Sequence, residues 1–582
     1  MKLRDYKKNL KNEYQNTFKE KKLKHEFHFK LRYAFLTAFG VLFVALLIEH
    51  IWVFNYNKGV EKHNQAISNR VELANSSELY TIDNPKEYNQ VVSTYKNKYV
   101  YQREKTSILT NLFTFQFIGC SSSNDKNAAS DVFGPTINET GNSSNNSYQT
   151  NIQVNGIDEA DVAKCDGKYI YYIYSYYLYI YEIKNETIIT NVSDEGFELY
   201  IYDNQIISVG NKKTTLYELN QNILEVKEQI TYERYLTSRL IENKLYLAYA
   251  NYANEKNISY EKCYYDTCSN PSYLYCLSCI DLDKKDHKET QLLSSYETIL
   301  YASNKSFYFA SNNSTFTSIS IFNYDLEPVG VACVNGVVLN QFSMDEYDGN
   351  FRVVSTDTTK NAEELNAITI FRQSDLEKIG YLNQGIGKER QTVKSVRFDG
   401  DTCYVVTYEN TDPLYEIDCS NPENPVIVSA YEAPGYSNYL HTFKIKDKEY
   451  VVGLGFTDSR VSTKISVYEK TEGTSQIGKD FILAYSEFYS KADYYNSLID
   501  LGMFSNHKAL FIYNDESFLY LGAMVAYDAY LIFKIDVESE NVVTIYKEFK
   551  LQAEKFNFSR VFLVDNKIYL TECDKVIVDN FS

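Results

Sequence analysis

Three residue types and one sign of charge are scarce in this sequence. Its 582 residues include one tryptophan, four methionines and eight prolines, and 59 Lys and Arg stand against 77 Asp and Glu, a net charge of −18. A surface with this excess of acid repels phosphate backbones, which argues against nucleic acid as a partner. The chain also lacks a phosphate-binding glycine loop, an H-E-x-x-H motif and a kinase signature, so it carries no motif of those enzyme classes.

Tyrosine, in contrast, is abundant. The chain has 55 tyrosines, 44% of its residues are hydrophobic and 23% are charged. This balance is sufficient for a folded core and excludes global disorder. Because tyrosine suits a pleated, half-buried surface, the composition favours β-structure.

One hydrophobic stretch is long enough to cross a membrane. Residues 33–54 read YAFLTAFGVLFVALLIEHIWVF and extend about 33 Å as a helix, against about 30 Å for a bilayer core. Residues 1–32 carry eleven basic and four acidic side chains, and positive flanks stay in the cytoplasm. No small-x-small cleavage site follows Ile48. The sequence predicts a basic cytoplasmic segment over 1–32 and a single-pass signal anchor in membrane lipid over 33–54, with the remainder extracytoplasmic.

The next hundred residues, 55–150, are weakly patterned. Pro85 at a helix start, followed by apolar residues at helical spacing, predicts a short amphipathic helix over 85–96. Residues 121–150 are rich in Ser and Asn and predict a flexible tether. We expect a stalk that carries a folded domain over 151–582.

A repeat begins beyond residue 150. A run rich in Tyr, Val, Ile or Leu meets a two-residue turn, and a second alternating run follows, which is a strong hairpin signal. The turns lie about 50 residues apart on average, and units of 40–50 residues with four short strands are typical of β-propellers. The nine turns are Asp166-Gly167, Asp203-Asn204, Glu242-Asn243, Ser303-Asn304, Asp348-Gly349, Asp399-Gly400, Lys446-Asp447, Asn514-Asp515 and Asp565-Asn566.

The repeat therefore predicts an all-β fold, a β-propeller. Because one or two turns could belong to insertions, we expect about eight four-stranded blades, within a range of seven to nine. The last unit is one strand short, and a strand near TNIQV (150–154) is expected to complete it and close the ring. The only tryptophan lies in the predicted anchor, which argues against propeller classes whose blades rely on repeated tryptophans.

Three segments carry a resemblance to a known family. TNIQVNGIDEADVAKCDGKYIYYI (150–173), the stretch 393–441 and NHKALFIYNDESFLYLGA (506–523) resemble the signatures of an uncharacterised family of secreted or membrane-anchored prokaryotic proteins. The resemblance implies a C-terminal β-propeller distantly related to WD repeats, and it implies no known reaction. Asn506 stands where the family usually has an acid, and Thr442 replaces a proline expected after His441.

Carboxylates cluster in the first of these segments. Asp158, Glu159 and Asp161 could bind a divalent cation, since calcium prefers carboxylate oxygens, but the spacing is not that of an EF-hand. Carboxylates at the start of a strand more often accept hydrogen bonds from backbone amides and fix a loop. The sequence favours the structural role and keeps the cation as the alternative.

Three basic side chains are further candidates. His441 and His507 could bind zinc or act as acid and base, although a structural, hydrogen-bonded role is the more frequent one. Arg397 could face a central channel and bind an anion, or it could form an ionic contact between blades. If Asp158, Asp161 and both histidines lay within about 5 Å, metal binding or catalysis would be favoured; if they were dispersed, recognition would be.

Four of the ten cysteines also cluster. Cys263, Cys268, Cys276 and Cys279 have the spacing C-x4-C-x7-C-x2-C. In an oxidising exterior, two disulfides that pin a hairpin insertion are favoured over a zinc site or free thiols.

The sequence identifies no catalytic residue and no cofactor. We expect a membrane-anchored, extracytoplasmic propeller that binds a protein, peptide or cell-envelope ligand through its loops. The alternatives are a hydrolase, metal-dependent or not, with its site at the mouth of the channel, and a purely structural envelope component.

Overall fold

The structure is a computed structural model of the whole chain. It describes residues 79–96 and 150–582, with gaps at 254, 267–270, 296–297, 314–315, 358–364, 389–390, 409–411, 458–461, 471–472, 485–505, 527 and 553–557, together with some residues of 19–58. Residues 40–45 and 47–55 are helical. Among the described residues, no helix is both long and apolar enough to cross a membrane.

Residues 163–580 form nine consecutive sheets, which we call blades 1 to 9; their strands pair antiparallel except for β12 and β14 of blade 3, which are parallel. Blade 1 has β2 (Ala163–Cys165), β3 (Tyr169–Tyr174), β4 (Tyr177–Glu182) and β5 (Thr187–Ser193), and blade 2 has β6 (Gly196–Tyr202), β7 (Gln205–Gly210), β8 (Lys213–Asn220) and β9 (Ile223–Thr231). Blade 3 has β10 (Arg234–Ile241), β11 (Lys244–Tyr252), β13 (Tyr273–Asp281) and β14 (His287–Ser294), extended by β12 (Cys263–Tyr265) and β1 (Tyr80–Thr81). Blade 4 has β15 (Thr298–Ala302), β16 (Ser306–Asn313), β17 (Phe316–Asn323) and β18 (Pro328–Asn335).

The remaining blades follow the same order. Blade 5 has β19 (Met344–Tyr347), β20 (Asn350–Thr356), β21 (Asn366–Arg372) and β22 (Lys378–Leu382), and blade 6 has β23 (Thr392–Asp399), β24 (Thr402–Tyr408), β25 (Asp412–Asp418) and β26 (Val426–Ala433). Blade 7 has β27 (Tyr436–Ile445), β28 (Lys448–Phe456), β29 (Ser462–Lys470) and β30 (Thr474–Ala484), and blade 8 has β31 (Phe511–Asn514), β32 (Leu519–Ala526), β33 (Ala529–Ile535) and β34 (Val543–Lys550). Blade 9 has only β35 (Val561–Val564), β36 (Lys567–Glu572) and β37 (Lys575–Asn580).

The predicted turns account for the blade number. Each of the nine lies at the hairpin between the first and second strands of one blade, so the propeller has nine blades, within the expected range of seven to nine and one more than the central value of eight. Positive φ angles occur where the sequence indicated them, for example 66° at Asp447 and 61° at Asn566. Short polar side chains tolerate this conformation and match the twist of paired strands.

The hydrophobic core is divided among the contacts between neighbouring blades. A cluster of buried apolar side chains lies between each blade and the next, and one more lies between blade 9 and blade 1. In that last cluster, Phe562, Val564 and Tyr569 of blade 9 pack against Ile170 and Tyr172 of blade 1. The ring is therefore closed by hydrophobic packing.

The expected closing strand is not found. Residues 150–157 form no strand, and blade 9 keeps three strands in the part of the chain that the structure describes. The sequence ahead of the repeat instead adds a strand elsewhere, because β1 pairs with β12 at the edge of blade 3. The alternating sequence TNIQV therefore does not form a blade strand, and its contacts are described below.

A helix over Pro85–Lys96, α1, follows β1. Asn84 caps it, since Glu87 N–H donates to Asn84 Oδ1 at 3.0 Å, and Glu87 in turn accepts from Asp83 N–H at 3.1 Å. Ile82 and Tyr88 are buried in the cluster between blades 2 and 3. This part of the predicted stalk therefore packs on the propeller.

The two faces of the ring differ. The turn face carries the connections between strands one and two and between strands three and four, and none of them exceeds seven residues. The loop face carries the other connections, and the longest of them spans 26 residues between Ala484 and Phe511. First strands lie innermost, since β2 contacts β6 and β23 contacts β27, whereas fourth strands such as β9 are largely exposed.

Candidate functional site

The segment 150–162 crosses the interior of the ring. Asn151 donates through Nδ2 to the backbone carbonyl of His507 ahead of blade 8 at 3.0 Å, and Gln153 donates through Nε2 to the carbonyl of Gln341 ahead of blade 5 at 3.2 Å. Farther along, Asp158 forms a β-bridge with Leu240 of blade 3 and Asp161 forms one with Leu199 of blade 2. The chain's own residues therefore occupy the centre of the propeller, which explains why TNIQV is not available as a blade strand.

Glu159 belongs to this segment, and it is only 4% exposed. Its Oε2 lies 2.8 Å from Nε2 of His507, and its Oε1 lies 3.6 Å from Nη2 of Arg239. Burial alone raises the pKa of Glu159, but the charges of Arg239, His507 and Lys508 outweigh it and hold the pKa well below its usual range. Glu159 is therefore an anion that its neighbours retain, and it is not poised to accept a proton.

Arg239 makes several hydrogen bonds in addition to its contact with Glu159. Its Nη2 donates to Gln341 Oε1 at 2.8 Å, and its Nη1 donates to Thr237 Oγ1 and to the Ser238 carbonyl, both at 2.7 Å. Burial lowers the pKa of Arg239, but the charge of Glu159 and those of its other acidic neighbours together outweigh burial and raise the pKa. Gln341 begins a short 3₁₀ turn whose cap, Asn340, accepts from Phe342 N–H at 3.0 Å.

The two aspartates on either side of Glu159 have separate partners. Asp158 Oδ1 lies 2.6 Å from Nζ of Lys164, which also donates to the Glu159 carbonyl at 2.7 Å. Asp161 accepts two hydrogen bonds from Arg560, at 2.9 and 2.8 Å, and both side chains are buried. Because Arg560 immediately precedes blade 9, the bidentate pair joins the first signature segment to the last blade. We call these eight residues the central hub: Asp158, Glu159, Asp161, Lys164, Arg239, Gln341, His507 and Arg560.

His507 owes its place to a 3₁₀ turn over His507–Ala509. Asn506 caps this turn, accepting from Lys508 N–H at 3.1 Å, so the asparagine performs the acceptor role of the acid expected there. Lys508 in turn donates to the Ala160 carbonyl at 2.6 Å and pairs with Glu198 of blade 2. The third signature thus holds the first by its backbone as well as by its histidine.

His441 and Arg397 lie apart from the hub. His441 Nδ1 is 3.3 Å from the Tyr439 hydroxyl, and burial together with the charge of Arg397 lowers the pKa of His441 to about 3. Arg397, fully buried on β23, donates to Thr442 Oγ1 of blade 7 at 3.2 Å, and burial lowers its pKa to about 10. Thr442, where the family pattern expects proline, therefore supplies a contact between blades.

The cysteine cluster differs from the favoured prediction of two disulfides. Cys263, Cys276 and Cys279 carry free thiols, and Cys268 lies outside the described residues. Cys263 and Cys276 both face Gln291 from the strands on either side of β14, so about 9.6 Å separates them, more than a disulfide spans. Burial raises the pKa of the Cys263 and Cys276 thiols.

The arrangement limits the chemistry of the site. Asp158, Asp161, His441 and His507 each contact a different side chain: Lys164, Arg560, Tyr439 and Glu159, respectively. Within the described residues, no three His, Cys, Asp or Glu side chains are placed to hold a metal ion. Each signature carboxylate has a basic side chain of this chain as its partner, whereas the role favoured from the sequence was the acceptance of hydrogen bonds from backbone amides.

Sequence reasoning did not identify Lys164, Arg239, Gln341 and Arg560 as members of the site. Arg239 and Arg560 stand within or directly before apolar runs, where an unpaired cation would be costly. Three carboxylates in a buried segment require counter-ions, so these arginines were detectable as candidates. Their assignment to individual carboxylates was not, since Arg560 and Asp161 are 399 residues apart.

The fold and the central hub define a β-propeller, and the comparisons with known proteins agree with this fold. The model of the family described as "Beta propeller domain" matches residues 147–582, and the chain belongs to this family. An uncharacterized protein of Archaeoglobus fulgidus is 32% identical over 265 residues, 45% of this chain and 36% of that one. The uncharacterized protein MJ1554 of Methanocaldococcus jannaschii is 35% identical over 194 residues, 33% of this chain and 29% of that one. The matches span about a third of the length of these relatives.

Among solved structures, apo AztD from Citrobacter koseri is similar over 69% of this chain and 96% of its own, with 9% identity and a TM-score of 0.36. Similarity at this level carries no information on function.

Proposed function

We propose that this chain is a non-catalytic binding module. In this proposal the propeller is held outside the cytoplasm by a membrane anchor over residues 33–54 and binds a protein, peptide or cell-envelope ligand through its loop face. One observation carries the choice of binding over catalysis: residues 150–162 cross the centre of the ring, and the acids, bases and cations of the central hub contact one another. An enzyme of the same shape needs a free acid or base beside an open site.

The loop face supports a binding role through the residues in its connections as well as through the length of those connections. The hairpin between β3 and β4 turns at Ser175 and Tyr176 with φ angles of 49° and 66°. This conformation favours Asn or Gly and is costly for a bulky side chain. Tyr176 nevertheless stands there, 73% exposed. An exposed aromatic side chain retained in a strained position is typical of a recognition residue.

The turn face supplies a matched comparison. Gln221 and Asn222 form the same type of turn between β8 and β9, with φ angles of 49° and 64°, and Asn222 is exposed. The residue at this equivalent position is one that tolerates the conformation. The aromatic residue is therefore a feature of the loop face hairpin and not a requirement of the turn.

The test is capture of ligand from cell envelopes by the full-length chain in detergent, with and without a chelator. We expect a stoichiometric partner that is retained with chelator, lost with Tyr176→Gly and retained with the control Asn222→Gly. Loss of every partner with chelator, or equal capture by both variants, contradicts the proposal.

The location is tested separately on intact cells. Protease added outside should remove a tag placed at the C-terminus, and it should leave a tag at the N-terminus intact. The reverse pattern, or protection of both tags, contradicts an extracytoplasmic propeller.

A further inference from the structure

A short sequence pattern for asparagine modification recurs in this chain. The tripeptide Asn-x-Ser/Thr, in which x is not proline, is the acceptor pattern for N-glycosylation on the surface of proteins that leave the cytoplasm. A transferase must reach the asparagine amide and the hydroxyl two residues later at the same time, so exposure decides which tripeptides are available. Five tripeptides with this pattern lie entirely within the described residues: 185–187, 191–193, 257–259, 304–306 and 580–582.

One of these five tripeptides is exposed along its whole length. Asn185, Glu186 and Thr187 are all exposed. Each of the other four has a residue that a transferase cannot reach as freely. These residues are Val192, which is half-buried, and Ile258, Ser306 and Phe581, which are buried.

The exposed tripeptide forms the connection between β4 and β5 on the turn face of blade 1. Glu186 N–H donates to the Ile183 carbonyl at 3.3 Å, and Glu186 has a φ of 49°. The register of the two strands ends at the pair of Glu182 and Thr187. Asn185 therefore lies in the turn and outside the ladder, so an enzyme can bind it without breaking a hydrogen bond between the strands.

The amide of Asn185 also makes a contact that is easily displaced. Its Nδ2 donates to the carboxylate of Glu182 at the surface, and a hydrogen bond that water can replace contributes little net stability. Asn312, which is also followed by Asn-Ser, is the opposite case. Its Nδ2 donates to the Val338 carbonyl at 3.0 Å, and its Oδ1 accepts from Thr317 Oγ1 at 2.7 Å. Blade contacts hold the amide of Asn312, whereas that of Asn185 is available.

The equivalent turn of blade 2 has an exposed asparagine without the hydroxyl. Asn222 lies between β8 and β9 with a φ of 64°, and Leu224 stands two residues later. The two turns therefore share an exposed asparagine and differ in the hydroxyl that the pattern requires. Asn222 is a matched negative control within the same chain.

We propose that Asn185 carries an N-linked oligosaccharide. The donor is an oligosaccharide on a polyprenyl diphosphate of the membrane. Asn185 Nδ2 forms a bond to the anomeric carbon of the first sugar and releases a proton, while the bond from that carbon to the phosphate oxygen breaks and its electron pair leaves with the phosphate. The modification rests on the extracytoplasmic location in the proposed function. Because Asn185 lies on the turn face, its glycan leaves the loop face free for a ligand.

The test is mass spectrometry of the full-length chain purified from the envelope of the cells that make it. We expect the peptide that contains Asn185 to be heavier by whole monosaccharide units. Fragmentation that preserves side-chain bonds should place the added mass on this asparagine. The peptides that contain Asn222 and Asn312 should have the masses of the unmodified sequence.

Three variants separate the pattern from the turn that carries it. Asn185→Gln keeps an amide at this position and should abolish the added mass. Thr187→Val keeps the branched shape that suits a strand and removes the hydroxyl, and it should abolish the added mass as well. Thr187→Ser restores a hydroxyl and should retain the modification.

The outcomes distinguish this proposal from the proposed location. An unmodified Asn185 in cells where external protease removes the C-terminal tag overturns the glycosylation and leaves the location intact. An unmodified Asn185 together with a protected C-terminal tag overturns both. Sugar that persists in Thr187→Val, or sugar on Asn222, overturns the assignment of the modification to this tripeptide.

Discussion

The centre and the rim of this propeller both contain ion pairs of similar length in very different surroundings. In the central hub, His507 and Glu159 lie 2.8 Å apart with 3% and 6% of their side chains exposed. On the rim, Lys446 and Glu538 lie 2.7 Å apart with 59% and 68% exposed. Solvent and salt screen the rim pair, whereas the hub pairs lie in a low-dielectric interior where an unpaired charge is expensive. Distance alone therefore does not distinguish the pairs that hold the ring together.

The largest expected effect is at Asp161. Asp161→Asn leaves the buried guanidinium of Arg560 without its anion and should lower the free energy of unfolding by about 3–5 kcal/mol. Denaturant unfolding measures the change. The double variant Asp161→Leu/Arg560→Leu, which removes both charges, should be more stable than the single one. If it is less stable, the buried pair is not the cause.

A fall in pH should reduce the stability that comes from buried groups such as His441 and Glu159 before it affects the exposed ion pairs of the rim. The folded-state pKa of His441 is lowered to about 3, so its contribution to stability is present above its unfolded pKa of 6.5 and is lost as the pH falls from there toward 3. Glu159, whose pKa is also lowered in the folded state, acts in the same direction below its ordinary pKa of 4.5. We expect stability to fall by up to about 1.4 kcal/mol per pH unit for each group in its window.

The control for this prediction is His441→Gln. Its stability should lose the slope between pH 6.5 and 4.5, and below pH 4.5 it should keep only the part that comes from Glu159. Thermal melting across this pH range gives both slopes, and an unchanged upper slope would contradict the assignment to His441.

A smaller effect of opposite sign is expected at the loop face. Tyr176→Gly relieves the left-handed conformation and should stabilise the protein by about 1–2 kcal/mol, while the same variant loses ligand in the capture experiment. Asn222→Gly on the turn face should change stability by less, because asparagine tolerates this conformation. Equal gains in the two variants would show that Tyr176 is not strained.

The smallest effect is expected at the rim pair itself. Lys446→Met should leave the unfolding midpoint unchanged within error, and high salt should not alter the comparison with the parent. A clear loss of stability would remove the distinction between rim and centre.

The blades were largely predictable because their signals are local. A hairpin needs only two alternating runs and a turn such as Asp348-Gly349, and these lie next to each other in the chain. All nine predicted turns are present, and every one opens a blade of its own, so the blade count lies at the upper end of the predicted range of seven to nine. The β1 strand was missed, since two residues, Tyr80 and Thr81, carry no periodicity.

The sequence predicted individual residues of the hub but not the residues that they contact. The sequence showed carboxylates at Asp158, Glu159 and Asp161 and a histidine at His507, but their contacts join residues 348 and 399 positions apart. No local pattern encodes such a pairing, because it depends on the number of blades between the partners. The three-stranded blade 9 was anticipated, whereas the fourth strand expected near residues 150–154 is not found in the described part of the chain.

The bond between Asp161 and Arg560 also has a consequence for biosynthesis. The two residues are separated by 399 positions, so at about 5–20 residues per second the ribosome needs about 20–80 s to deliver the arginine after the aspartate has been made. During that interval Asp161 has no arginine partner in the nascent chain, and blade 1 has no blade 9 to pack against. The ring therefore cannot close by this contact earlier than about 20–80 s after Asp161 has been made.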